Sequence, residues 1–217
     1  MARNLKQHGF TLIEMIVSLA LFTFVITIAV GALLMLMASN RQLQGEQSVM
    51  TNLSFAMDSM TREIRTGTFY YCDSQGSTNG TNNIFNPSNN IDTILGDLYQ
   101  DCENGNPSIN KIQGLAFKEG GDSITGAADR ILYYFDSSEG KIYRRIGGGA
   151  PQSIVSSGIK IKKMEFFVTG SKKLSLGGLN ITDQPSVTIF IEASENGDAT
   201  DKSYYLQTTV TQRTLDI

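Results

Sequence analysis

Few side chains in this 217-residue sequence are of the types that carry out catalysis. Its one histidine is His8, and its two cysteines are Cys72 and Cys102. Two thiols are too few for a four-thiolate metal site. No pair of acids forms a recognisable catalytic pattern. The composition therefore predicts a protein that is not an enzyme and that uses no cofactor.

The most distinctive chemical grouping lies near the N-terminus. There Gly9 and Phe10 precede a long apolar run whose single acid is Glu14. Residues 15–40 carry no charge, and about 24 residues of α-helix rise roughly 36 Å, enough to cross a hydrocarbon core about 30 Å thick. The run predicts a membrane-spanning helix. Two basic residues before it favour a cytoplasmic N-terminus, which places the remainder of the chain outside the cytoplasm.

The sequence Gly9-Phe10-Thr11-Leu12-Ile13-Glu14, followed by an apolar helix, resembles the class III signal of type IV pilins and type II secretion pseudopilins. In that family a prepilin peptidase cuts after the glycine and N-methylates the new first residue. The resemblance therefore implies cleavage after Gly9 and methylation of Phe10. An ordinary secretory signal has a shorter apolar core and is cleaved after it. A plain signal anchor gives no reason for the Gly-Phe junction or for the acid.

Glu14 is the residue that an apolar span does not explain. A carboxylate carried to the middle of a membrane costs about 2.5–3.5 kcal/mol on insertion scales. After cleavage the amine of Phe10 would lie one helical turn from Glu14, and a helix N-terminus also favours an anion. Glu14 is therefore expected to neutralise its own helix end. The resemblance implies a second, compatible role, in which Glu14 meets the methylated amine of a neighbouring subunit during assembly.

Removal of the predicted leader, residues 1–9, also removes Arg3, Lys6 and His8. The mature chain would have no histidine, which excludes histidine-based triads, histidine general bases and most zinc sites. It would keep 16 basic and 21 acidic side chains, so the net charge would move from −3 to −5. This acidic balance argues against a general nucleic-acid-binding surface, which needs clustered lysine and arginine.

Apolar residues continue at helical spacing beyond the span: Met50, Leu53, Met57, Met60 and Ile64. The pattern predicts one helix over 10–66, transmembrane over 10–40 and amphipathic over 41–67, whose apolar stripe packs under a sheet. Gly31 interrupts the apolar half without a proline, which leaves open whether the helix is kinked there.

A turn-rich stretch follows the helix. Residues 73–110 are rich in Asn, Ser, Thr and Gly and predict a long surface loop, with a short helix from Ile91 to Tyr99 opened by Asp92. Cys72 and Cys102 bracket this loop, and a disulfide is permitted outside the cytoplasm. Closing about 30 residues would stabilise the fold by roughly 3–4 kcal/mol on the chain-entropy model. Two buried free thiols are the alternative, and the bridge is expected.

Alternating apolar residues from Lys111 onward predict β-strands. Ile131, Tyr133 and Phe135 alternate before a turn at 137–140, which indicates a hairpin. A later strand slips in phase near Lys163, as a β-bulge does, and two more strands flank a turn at 195–198. Five or six antiparallel strands on the helix stripe would make residues 68–217 an extracytoplasmic domain. The predicted fold is α+β, with a long N-terminal helix on an antiparallel sheet.

The strand-rich half also resembles the J-type minor pseudopilins of type II secretion and related minor pilins. The shared features are a hairpin ending in Tyr-Arg, a glycine followed by an apolar strand with phenylalanine, a proline-led strand and a last strand closing with arginine. The resemblance implies a minor pilin-like structural subunit of a type IV pilus or type II secretion pseudopilus, in an initiating or tip complex. Such a protein is a single-pass inner-membrane protein before it enters the filament.

The implied partners are prepilin peptidase, other pilin or pseudopilin subunits, the inner-membrane assembly platform and membrane lipid, with no nucleic acid. The alternative is a membrane-anchored binding or enzymatic domain that uses the helix only as a tether. Gly9, Phe10 and Glu14 discriminate between the two, because a tether does not need them.

Two groups of acids supply the oxygen ligands that calcium prefers: Asp97, Asp101 and Glu103, and Glu195, Asp198 and Asp201. Neither group matches the spaced acidic loop with its fixed glycine that marks a calcium site. Solvated turn carboxylates are expected in both places, and no metal site is predicted.

Overall fold

The structure is a computed structural model. The residues that it describes are 9–73, 83–96, 98–104, 112–119, 129–171, 184–197 and 202–213. The chain divides into two compact units, Met1–Glu46 and Gln47–Ile217, and each is described by itself.

The first helix, α1, spans Leu12–Thr66, close to the predicted bounds. It is continuous through Gly31, so this glycine does not end the helix. The helix ends before Gly67, whose N–H donates to the Ile64 carbonyl at 3.0 Å. A Cβ atom on Gly67 would lie 2.5 Å from the Phe117 ring, so the close approach of α1 to the sheet requires a residue without a side chain.

The buried stripe of α1 consists of Val49, Leu53, Ala56, Met57, Met60 and Ile64. Four of the five predicted positions lie in this stripe. The prediction for Met50 is wrong, because its side chain is 40% exposed and the buried position belongs to the neighbouring Val49. One residue rotates the helix surface by about 100°, since a turn takes 3.6 residues, so Met50 points away from the sheet that covers Val49.

The first sheet is antiparallel and has the order β1-β2-β3-β4-β5. Its strands are β1 (Thr68–Asp73), β2 (Gly114–Lys118), β3 (Arg130–Asp136), β4 (Lys141–Ile146) and β5 (Gln152–Ser153). The predicted hairpin is confirmed as β3 and β4, with its turn at 137–140. The sequence pattern does not predict β1, because its residues run directly into the turn-rich stretch.

The second sheet is also antiparallel and has the order β6-β7-β8. Its strands are β6 (Ile159–Thr169), β7 (Ser186–Glu195) and β8 (Tyr204–Thr211). The predicted bulge is confirmed, since the register of β6 against β7 shifts between Ile161 and Lys163. The expected number of five or six strands is too low. Within the described residues there are eight strands in two sheets, because β6 pairs with β7 rather than continuing from β5.

Two clusters of buried side chains hold the second unit together. In the larger one, the α1 stripe packs with apolar residues of both sheets, including Tyr133, Phe166 and Ile189. The smaller cluster joins Ile84, Phe85, Ile91 and Leu95 to Ala116, Leu132 and Tyr134 of the first sheet. The first sheet is therefore buried on both faces. This arrangement is α+β and pilin-like, as predicted.

The smaller cluster includes the short helix α2, Ile91–Leu95. Its N-cap is Asn90, whose side-chain oxygen accepts from the N–H groups of Asp92 and Thr93. The helix starts at Ile91 with Asp92 in its first turn, as predicted, but it ends at Leu95 rather than at Tyr99. Leu98, shortly after this helix, is 56% exposed and does not join the cluster.

Candidate processing and assembly site

The predicted cleavage junction lies just before α1. Gly9 and Phe10 are both exposed, and neither is helical. A Cβ atom built on Gly9 would meet nothing within 4 Å, and its φ angle is outside the left-handed region. Nothing in the described fold therefore requires glycine at position 9. A requirement for a small residue there has to come from a protein that binds the junction.

Thr11 and Glu14 cap the start of α1. The Glu14 N–H donates to Thr11 Oγ1 at 3.4 Å, and the Thr11 hydroxyl donates to Glu14 Oε2 at 3.5 Å. The Met15 N–H donates to the Thr11 carbonyl at 3.3 Å. Sequence reasoning missed the role of Thr11, although the Thr-x-x-Glu spacing of a capping box is present in the motif.

This geometry leaves the Glu14 carboxylate available. Its contact with Thr11 is at the long limit of a hydrogen bond. Among the described residues no cation lies within ion-pair distance of it. Glu14 nevertheless sits in the first turn, where the helix dipole favours an anion. The site therefore combines an exposed peptide junction with a carboxylate that has no strong partner.

Every residue from 9 to 44 is exposed, including all the large apolar side chains of this part of α1. Among the described residues α1 is the one helix that is long and apolar enough to cross a membrane, and none of its most apolar window is buried. The hydroxyls of Ser18, Thr23 and Thr27 donate to backbone carbonyls within the preceding turn. These polar groups therefore need no water, which suits a helix surrounded by lipid.

The family model described as "Prokaryotic N-terminal methylation motif" matches residues 4–30. The chain therefore carries a class III prepilin motif. This motif is that of type IV pilins and pseudopilins, which are generally non-enzymatic structural subunits. It implies processing by prepilin peptidase and assembly with other pilins. With the apolar helix, it suggests a membrane-anchored prepilin with an extracytoplasmic domain.

The match ends at residue 30, before the strands on which the J-type resemblance depends. No curated protein sequence matches the chain, and no solved structure does. The subclass of this pilin-like chain therefore stays a prediction.

The two cysteines lie in the second unit and are joined by a disulfide, with 5.8 Å between their Cα atoms. Cys72 belongs to the edge strand β1, and its N–H donates to the Gln100 carbonyl at 2.9 Å. Cys102 exchanges two backbone hydrogen bonds with Val168 of β6, at 3.1 and 3.2 Å. The bridge therefore stands where residues 100–102 connect the two sheets.

Gln113 completes this connection, and sequence reasoning missed it. The side chain is 3% exposed, and its amide pairs with the backbone of Phe166 at 2.7 and 2.9 Å, as a neighbouring strand would. Its Nε2 atom also lies 3.4 Å from the sulfur of Cys102 and 3.6 Å from that of Cys72. A lone glutamine before a strand carries no sequence signal for such a role.

Two buried arginines hold the predicted loop against the first sheet. The Arg130 guanidinium donates to the carbonyls of Phe69, Gly96 and Leu98. Arg145 donates to the carbonyls of Asn86, Asn89 and Gly147. Burial lowers the pKa of Arg145. Four of these six carbonyls belong to residues 86–98, so both side chains bind the backbone of this segment.

The acidic groups weighed for calcium are only partly described, since Asp97, Asp198 and Asp201 lie outside the described residues. Asp101 Oδ1 accepts the Ser171 N–H at 2.8 Å. No cluster of three metal-ligating side chains occurs among the residues that the structure describes.

Proposed function

We propose that this chain is a minor pilin-like structural subunit of a type IV pilus or type II secretion pseudopilus, with a place in its initiating or tip complex. Prepilin peptidase removes residues 1–9 at the cytoplasmic face of the inner membrane and methylates Phe10. Residues 10–40 span the membrane, residues 41–67 continue the helix, and residues 68–217 form the extracytoplasmic domain. The observation that carries the proposal is an exposed Gly9-Phe10 junction immediately before a capped, uncovered apolar helix.

The exposed apolar surface of residues 9–44 needs two successive coverings. Lipid covers it while the subunit waits in the membrane, because apolar side chains are costly to leave in water. The helices of neighbouring subunits cover it in the filament. The inner-membrane assembly platform moves the subunit from the first environment to the second.

Glu14 selects the position of the subunit in the filament. A carboxylate without a strong partner attracts a cation more as the surrounding dielectric falls. The methylated amine of Phe10 on a neighbouring subunit supplies that cation. Pairing the two charges also reduces the cost of holding Glu14 among apolar helices.

Support for a minor role comes from the strand-rich half. Its sequence resembles J-type minor pseudopilins and related minor pilins. The resemblance does not separate a secretion pseudopilus from a pilus used for adhesion, motility or DNA uptake.

Processing is tested by co-expressing the chain with a prepilin peptidase and measuring its intact mass. The expected product begins at N-methylated Phe10. The Gly9→Leu variant should keep its leader, because the peptidase requires a small residue there, while the chain itself has space for the side chain. A wild-type chain that keeps its leader beside an active peptidase would contradict the proposal.

Assembly is tested with Glu14→Gln, which keeps the shape of the side chain and removes its charge. The variant should insert into the membrane as well as the wild type and be depleted from the sheared-filament or minor-subunit fraction. Ser18→Ala is the matched control, because this hydroxyl lies one turn further on and bonds only the Met15 carbonyl. If Glu14→Gln assembles like Ser18→Ala, the helix acts as a tether and the alternative function is favoured.

A further inference from the structure

Strand β8 is an open edge of the second sheet. It pairs with β7 along eight residues, and no strand pairs with its other side in the described part of the chain. Natural proteins usually protect such edges, because a row of unpaired backbone groups recruits another strand.

The other three sheet edges are protected. β1 is covered by residues 100–102, and β5 is only two residues long and follows Pro151. β6 carries three lysines and a bulge, and it bonds to Cys102 and to the Gly140 carbonyl. Short length, lysine, proline, bulges and covering segments are the usual devices against strand addition.

β8 has none of these devices. Its sequence, YYLQTTVT, contains no charge, proline or glycine, and its register against β7 has no bulge. Most of its residues are β-branched or aromatic, the types that favour strands. The contrast with β6, in the same sheet, indicates that β8 is kept available for pairing.

The backbone groups that β8 offers follow from its pairing. The Gln212 N–H donates to the carbonyl of Pro185, the residue just before β7, so residues of β8 at even positions bond towards β7. Hydrogen-bonding direction alternates along an antiparallel strand. The backbone groups that point away from β7 therefore belong to Tyr205, Gln207, Thr209 and Thr211. The next residue of this series, Arg213, already donates its N–H to the Arg65 carbonyl at 2.8 Å.

A polar cavity lies where this edge reaches the end of α1. Its volume is ≈ 520 Å³, and the residues that line it include Arg65, Gln184 and Arg213. Both arginines are exposed, and within the described residues neither guanidinium has a side-chain hydrogen bond or ion pair. Two arginines that line one cavity attract a carboxylate, which a guanidinium group can bind in a bidentate manner.

We propose that β8 binds an extended segment of another polypeptide, which adds a strand to the second sheet and places a carboxylate in the cavity between Arg65 and Arg213. Backbone pairing supplies the affinity, as in other cases of strand addition. The carboxylate in the cavity fixes the register of the added strand. A second copy of β8 is not the occupant, because β8 contains no acid and would leave both arginines without a counter-charge. The proposal does not depend on cleavage after Gly9.

The test uses the full-length chain in detergent micelles and two fluorescent octapeptides. Both alternate threonine and valine; one ends in two aspartates and the other in two lysines. Fluorescence anisotropy should show binding of the aspartate peptide, weaker binding of the lysine peptide, and loss of this preference at high salt. Hydrogen exchange in the segment 204–211 should slow when the aspartate peptide is added.

Gln207→Pro removes an outward N–H without removing a bond to β7 and should weaken peptide binding by about tenfold or more. Gln207→Thr is its matched control and should bind like the wild type. The double variant Arg65→Gln, Arg213→Gln should abolish the preference for the aspartate peptide. The control is Arg62→Gln, which removes an arginine of the same helix that pairs with Asp58 and should leave the preference unchanged.

Three results would overturn the proposal: no binding of either peptide, equal binding to Gln207→Pro, or unchanged exchange in segment 204–211. The proposal would also be overturned if the wild-type chain associated with itself and Gln207→Pro abolished this association, since the occupant would then be a second copy. Thermal unfolding checks that the proline variant is folded; if it is not, the exchange measurement on the wild type decides.

Discussion

The two halves of α1 use similar apolar residues for opposite purposes. Residues 15–38 are apolar around the whole helix, apart from three hydroxyl side chains, and are all exposed, whereas residues 49–64 present one apolar stripe that is buried under two sheets. A helix that is apolar on every side belongs in lipid or among other helices, and one with a single stripe belongs on a core. The width of the apolar surface, rather than its hydrophobicity, therefore decides what covers each half.

This difference is tested most directly by replacing one leucine in each half of α1 with alanine. Leu53→Ala should lower the free energy of unfolding of the second unit by about 3–5 kcal/mol, because Leu53 is completely buried and its removal leaves a cavity. Leu34→Ala, in the exposed half, should leave that free energy unchanged. Denaturant unfolding of both full-length variants in detergent measures the effect. Equal losses would mean that the exposed half also supports the domain.

The disulfide is the next largest contribution. Cys72→Ala with Cys102→Ala should destabilise the second unit by roughly 3–4 kcal/mol, because the bridge closes a long loop and stands where the two sheets connect. Reduced protein should be cut by proteases between residues 73 and 101, while the membrane half stays protected by detergent.

Thiol alkylation without reductant checks that the bridge is present. If both cysteines of protein taken from outside the cytoplasm react, they are free thiols. The loop would then be held by the packing of Ile84, Phe85, Ile91 and Leu95 and by the two buried arginines alone.

The sequence predicted features that depend on local patterns. The helix bounds, the β3–β4 hairpin and the bulge near Lys163 each follow from the spacing of a few neighbouring residues. The burial of both faces of β3 also has a sequence signal that the alternation of Ile131, Tyr133 and Phe135 does not use. Leu132 and Tyr134, which lie between them, are apolar too, and continuous apolar runs indicate strands buried on both faces.

Features that depend on distant partners were not predictable. Arg130, Arg145 and Gln113 are buried because carbonyls tens of residues away need donors, and nothing in their own neighbourhood indicates it. The division into two sheets has the same cause, because it depends on which strand β6 pairs with. At the N-terminus, by contrast, the motif is contiguous, so Gly9, Phe10 and Glu14 stand together in the sequence and in the structure.

A polar contact ties the buried half of α1 to the first sheet. The Tyr133 hydroxyl donates to Glu63 Oε2 at 2.6 Å, and Arg144 Nε donates to the same oxygen at 2.9 Å. Tyr133→Phe should lower the free energy of unfolding by about 1–2 kcal/mol, because it removes a hydrogen bond to a charged group. The control is Tyr134→Phe, whose hydroxyl has no side-chain partner among the described residues. A loss as large for Tyr134→Phe would show that ring packing, and not the Glu63 contact, is responsible.

The smallest expected effect concerns Asp92, which lies in the first turn of α2. Burial raises the pKa of its carboxyl, although the Arg130 N–H that donates to Oδ1 at 2.9 Å lowers it. The other oxygen, Oδ2, is buried without a hydrogen-bond partner. The folded state therefore holds the Asp92 proton more tightly than the unfolded state does.

The sign of the pH dependence follows from this difference. Just above the ordinary carboxyl pKa of 3.8, the folded state binds more protons than the unfolded state at Asp92, so this residue makes stability fall as pH rises through that range. Asp92→Asn keeps an oxygen for the Arg130 N–H and removes the titration, so the variant should lack this decline and change stability at neutral pH by less than about 1 kcal/mol. Parallel unfolding curves of the two proteins from acidic to neutral pH measure the difference, in which contributions of other carboxylates cancel. A difference between them that grows towards low pH, in favour of the variant, would reverse the assigned direction and mean that Asp92 is stabilised as an anion by Arg130.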